Sequence, residues 1–115
     1  MKQNTILQIE DPEEWVLATV NLADLLYAIN PFEAKKLVEK GEEKAWLITS
    51  ATSRARPLIR ITQFYLETMK DAAYAKHSLE QAKKTIKCIE NVLLKEGRTN
   101  ELSLIAERSS HLLCR

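Results

Sequence analysis

The sequence predicts an all-α fold: a single-domain helical bundle of four to five helices built around one long helix, at about residues 57–96. Three observations carry this. The chain has two Gly and three Pro in 115 residues, so it has little turn chemistry and must use few, long elements. Apolar residues recur at spacings of three and four, and no strand-like alternation runs beyond a few residues. Between Pro57 and Gly97 there is no internal Pro or Gly. An apolar stripe runs through that stretch: Leu58, Ile61, Tyr65, Thr68, Ala72, Ala75, Leu79, Ala82, Ile86, Ile89 and Leu93.

The elements follow in order. Residues 1–10 read as an extended arm. Asp11-Pro12-Glu13-Glu14 opens a helix: Asp caps, Pro takes the first helical position, and acids occupy the first turn. That helix runs to about Ile29. Trp15, Ala18, Leu22, Leu25 and Ile29 form its stripe, and Val16, Val20, Ala23, Leu26 and Tyr27 widen it, which predicts a place deep in the core. Asn30-Pro31-Phe32-Glu33 repeats the start signal and opens a short helix ending at Gly41, with Lys35, Lys36 and Lys40 toward its negative end.

Residues 43–55 read as a third helix on the strength of Trp46, Leu47, Ile48, Ala51 and Ala55. Pro57 pushes Arg56 away from helical geometry and sets a kink or boundary there. The long helix follows. Ser78 and Gln81 could form a capping box, so a break would fall at His77-Ser78, but the stripe keeps its phase through Ala75, Leu79 and Ala82. Gly97 ends the long helix. Thr99 or Asn100 starts a last one, which buries Leu102, Ile105, Leu112 and Leu113.

A helix over 57–96 would be about 58 Å long. A globule of this chain length has a radius of gyration of only about 13 Å. The first helix, about 27 Å long, is too short to cover the stripe. The surplus predicts a homodimer with coiled-coil-like pairing, its interface formed by Ala72, Ala75, Leu79, Ala82, Ile86, Ile89 and Leu93. The small residues let two backbones approach closely.

The formal net charge is +1, which gives no strong pull toward nucleic acid or membrane. The charge is unevenly placed. Residues 1–50 hold five Lys/Arg and nine Asp/Glu, whereas residues 51–115 hold twelve and seven. The two halves can attract each other within the fold or between subunits. Between Glu43 and Glu67 there is no acid, and Arg54, Arg56 and Arg60 gather near hydroxyl residues. At a helix start such a cluster could hold phosphate. The competing reading pairs these arginines with the acidic first half. Lys83, Lys84 and Lys87 are placed on the far side of the long helix from the stripe, as a solvated face.

No Walker loop or GxGxxG is present, and His77, His111, Cys88 and Cys114 show no metal-binding spacing. No cofactor or metal is expected. Cys88 reads as a small packing residue, and Trp15 and Trp46 as core anchors. The two cysteines form no disulfide framework. No apolar run approaches the roughly 18 residues of a membrane span, and residues 1–9 lack a signal-peptide core, so a cytoplasmic location is expected. Arg108-Ser-Ser-His111 resembles, over those four residues, the Arg–His pair of the HEPN helical ribonucleases, at a shorter spacing than that family uses.

The leading functional expectation is a non-catalytic helical interaction or regulatory protein, a homodimeric adaptor with a protein partner. The alternative is a nucleic-acid-associated regulator using Arg54, Arg56 and Arg60. A ligand-binding or ribonuclease-like helical bundle, using His77 or His111, is the third reading.

Overall fold

Five polar residues, each with its side chain turned back onto the following turn, set where the main helices begin. Asp11 accepts from the Glu13 amide at 2.9 Å, Asn30 from Glu33 at 3.2 Å, and Ser50 from Ser53 at 3.4 Å. Asp71 accepts from Tyr74 and Asn91 from Leu94, both at 3.1 Å. Each satisfies an amide that the first helical turn leaves unpaired. The computed structural model describes residues 11–113. The extended arm expected at residues 1–10 and Cys114 lie outside that range.

The elements are α1 (Pro12–Tyr27), α2 (Pro31–Trp46), α3 (Ala51–Gln63), a π-helical turn (Phe64–Thr68), α4 (Ala72–Lys87), α5 (Val92–Arg108) and the single turn α6 (Ser110–Leu113). No strand occurs among the described residues, and the fold is an all-α bundle. It is a flat slab, 39 × 35 × 17 Å, with a radius of gyration of 13.8 Å. None of these helices is long and apolar enough to cross a membrane.

The continuous rod expected over 57–96 does not form. The chain breaks twice within it, at 69–71 and at 88–91. At the first break, Met69 and Asp71 donate their amides to Phe64 and Tyr65 carbonyls, at 2.9 and 3.1 Å, closing a wide turn. Lys70 then takes a left-handed backbone (φ 54°) and Asp71 starts α4. The wider turn also brings three successive residues, Phe64, Tyr65 and Leu66, into the core. The break considered at His77-Ser78 is absent: α4 runs straight through it.

Folding at 69–71 gives the stripe a partner, and the partner is its own other half. The Thr62 and Ser78 hydroxyls lie 2.7 Å apart, and Arg54 Nε donates to Thr85 Oγ1 at 3.4 Å. As one residue of the pair rises in number the other falls, so α3 and α4 are antiparallel. Leu58, Ile61 and Tyr65 from the first half join Ala75, Ala82 and Ile86 from the second in one buried core. The alanines let the two helices close up, as expected, but within one chain.

Four other boundaries differ from those expected. Gly41 does not end α2; it is buried inside that helix, where an added Cβ would lie 3.5 Å from Val16 Cγ1. That is ordinary van der Waals contact, so the position lies close against α1 without requiring glycine. Gly97 lies within α5, which starts at Asn91 rather than at Thr99 or Asn100. Pro57 sits inside α3, and Arg56 is helical with it. The ring removes one backbone hydrogen bond, but Ala55, Leu58, Ile59 and Ile61 around it are buried and hold the helix. The third helix expected at 43–55 is divided by the cap at Ser50.

The deep element is α3, not α1. It packs against α1, α2, α4 and α5. Leu25 and Ile29, expected on the buried stripe of the first helix, are exposed. Trp15 packs against the core, as expected, whereas Trp46 is 40% exposed. Cys88 is not a packing residue: it lies at the end of α4, exposed.

Candidate interaction surface

The helix α5 is the least sheltered long element. Only Leu102 and Ile105 are buried on it, while Val92, Leu93, Leu94 and Leu104 are exposed. It packs lightly on α4. The two helices border a groove of about 480 Å³ that is open to solvent. That volume lies within the roughly 300–1,000 Å³ of ligand sites. From α4 the lining residues are Leu79, Lys83, Ile86 and Lys87. They recur at helical spacing, so one face of α4 forms a wall. From α5 come Lys95, Thr99, Leu102, Ser103 and Ala106 with Glu107, again along one face. The floor is apolar, the rim is polar, and three of the four charged side chains are lysines.

The segment 88–91 joins the two walls, so Lys83, Lys87 and Lys95 gather toward that end of the groove and Glu107 toward the other. Lys83 and Lys87 do not form a remote solvated face, as expected from an unbroken rod. They border an apolar groove.

Most of the stripe residues expected at a dimer interface are occupied elsewhere. Ala75, Ala82, Ile86 and Ile89 are buried within the chain, and Ala72 and Leu79 are half-buried. Leu93 alone among the seven is exposed, at 79%.

The three arginines expected to hold an anion have intrachain partners. Arg56 lies 3.7 and 3.5 Å from the Glu13 and Glu14 carboxylates. Arg60 pairs with Asp24 and donates to Asn21 Oδ1 at 3.1 Å. Thr68 Oγ1 donates to the same Asp24 at 2.7 Å, so one carboxylate ties α1 to α3 and to the π-turn. Burial pulls the Arg60 guanidinium below its ordinary value and nearby Glu67 opposes this, but it stays charged at any working pH. Arg54 donates to the Ile48 carbonyl at 3.0 Å and lies over the Trp46 ring at 5.0 Å. The acidic and basic halves thus meet inside the fold, α1 against α3.

A second recess, of about 390 Å³, combines Glu39, Glu42, Glu43 and Trp46 from α2 with Tyr65, Tyr74 and His77. Tyr65 is buried, donates to Glu42 Oε2 at 3.4 Å and stacks on Tyr74 at 5.3 Å between centroids. Burial, reinforced by the Glu42 charge, pushes its phenol far above the ordinary range. Lys35 sits over the Tyr74 ring at 4.4 Å, and its hydrogen bond to that tyrosine raises its pKa. Within the recess, Tyr65 thus links Glu42 and Tyr74.

Among the described residues no group of His, Cys, Asp and Glu is arranged to hold a metal ion. Arg108 pairs with Glu67 at 3.4 Å, and His111 is exposed. No protein-family model matches this chain, and no curated protein or solved structure is significantly similar to it.

Proposed function

We propose that this chain is a non-catalytic helical interaction protein, an adaptor or regulator that engages a protein partner through the face formed by α4 and α5. The observation that carries this reading is the groove between those helices, with apolar floor and lysine-edged rim. Homodimerisation through the stripe is not part of this reading, because Ala75, Ala82, Ile86 and Ile89 already have partners within the chain. Nor is phosphate binding by Arg54, Arg56 and Arg60, whose guanidinium groups are engaged.

The test is photo-crosslinking in cells that express the protein. A crosslinking amino acid at Ser103, on the groove, should give discrete adducts with another protein. The same group at Lys40, an exposed position on α2, should not. Adducts equal at both positions, or none at Ser103, would remove the reading.

A further inference from the structure

We infer that the occupant of the α4–α5 groove is an amphipathic helix of a partner protein whose apolar stripe is flanked by carboxylates. This rests on the interaction reading above and names its chemistry. The first argument is shape. Leu79 and Ile86 on one wall face Leu102 and Ala106 on the other, and both walls are helices. A third helix laid between two helices fills such a groove with anchors at i, i+3 or i+4, and i+7. The groove is open to solvent, which suits a helix carrying its own polar outer face.

The second argument is charge. Lys83, Lys87 and Lys95 rim one end, against a single acid, Glu107, at the other. Lys83 and Lys87 are exposed, so their ammonium groups stay in water while their stems extend the apolar wall. An entering helix with acidic flanks is drawn to that end, and one with basic flanks is repelled there.

The test uses the full chain and two fluorescein-labelled peptides of about 18 residues with leucines at helical spacing. One carries glutamate flanks and the other lysine flanks. Anisotropy should show the glutamate peptide binding at least about tenfold more tightly, weakening as salt is raised. The double variant Lys83→Glu/Lys87→Glu should reverse that order. Ser103→Trp, which fills the groove from an exposed position, should abolish both. All three substituted positions are exposed, so circular dichroism should report an unchanged fold.

Equal binding of the two peptides, an order that survives charge reversal, or no binding up to about 1 mM by the folded protein would overturn the proposal. So would a dimer of this chain that Ser103→Trp dissociates, since it would assign the groove to a second copy. Crosslinks from Ser103 to a partner without an acidic helix would sink this proposal and leave the interaction reading standing.

Discussion

Thr62 and Ser78 would lie about 24 Å apart on one continuous helix, yet their hydroxyl oxygens are 2.7 Å apart. Thr62 also donates to the Leu58 carbonyl at 2.9 Å. Its proton is therefore committed, and Ser78 is the donor between the two. Both residues are buried, so the bond sits where water cannot replace it. This pair marks the place where the chain covers its own apolar stripe.

Removing both members of that pair should cost less than the two single losses added together. Thr62→Val leaves the Ser78 hydroxyl buried without a partner, at a cost of about 1–3 kcal/mol. Ser78→Ala leaves Thr62 its bond to Leu58 and should cost about 1 kcal/mol. The double variant should fall below the sum of the two. A double-mutant cycle by urea denaturation measures the difference.

Asp24 is the second tie. It accepts from Thr68 and pairs with Arg60, and the two side chains of the ion pair are only 19% and 29% exposed. Asp24→Ala should strand both partners and destabilise the fold by about 1–3 kcal/mol, less than a fully buried pair. Asn21→Ala should cost less, because it removes a single hydrogen bond to Arg60. Denaturant midpoints rank the two.

The helix starts show how much of this fold is legible in the sequence. Asp11 and Asn30 are each followed by Pro, and both starts stand out. Ser50, Asp71 and Asn91 cap equally well but carry no proline, and they lie inside or beside stretches with helical periodicity. The stripe keeps its phase from Thr68 to Ala72 because both halves face one core, so periodicity cannot reveal the break. Gly41 and Gly97 mislead in the other direction: both sit inside helices, one buried against α1 and the other facing open space. The groove is hidden for the same reason as the breaks. Leu79, Lys83 and Ile86 oppose Lys95, Thr99 and Leu102 only once 88–91 is known to turn.

Backbone substitutions should separate strain from packing. Lys70 holds a left-handed φ of 54°. Such a conformation costs a non-glycine residue roughly 1–2 kcal/mol, partly offset by the entropy glycine brings to the unfolded chain. Lys70→Gly should therefore stabilise by about 0.5–1 kcal/mol. Gly97→Ala, inside exposed α5 with nothing within 4 Å of the new Cβ, should stabilise by a similar amount, about 0.5–1 kcal/mol. Thermal melts test both.

Alkaline stability should depend on Tyr65. Its folded phenol is held neutral above the ordinary value of 10.0, chiefly by burial. The unfolded chain then loses this proton first, so it binds fewer protons than the folded chain above that pH. The contribution is intact below about pH 10 and is lost as pH rises beyond it. Urea midpoints from about pH 8 to 11 should fall more steeply for the natural chain than for Tyr65→Phe.

The chain covers its own stripe, and the proposed docking surface is the α4–α5 groove that this leaves open. Amide-resolved NMR titration with the glutamate-flanked peptide tests it most directly. The account predicts saturable shifts at Leu79, Lys83, Ile86, Thr99, Leu102 and Ser103, with α1 and α2 quiet. Shifts centred on α1 and α2, or none at saturating peptide, would contradict it.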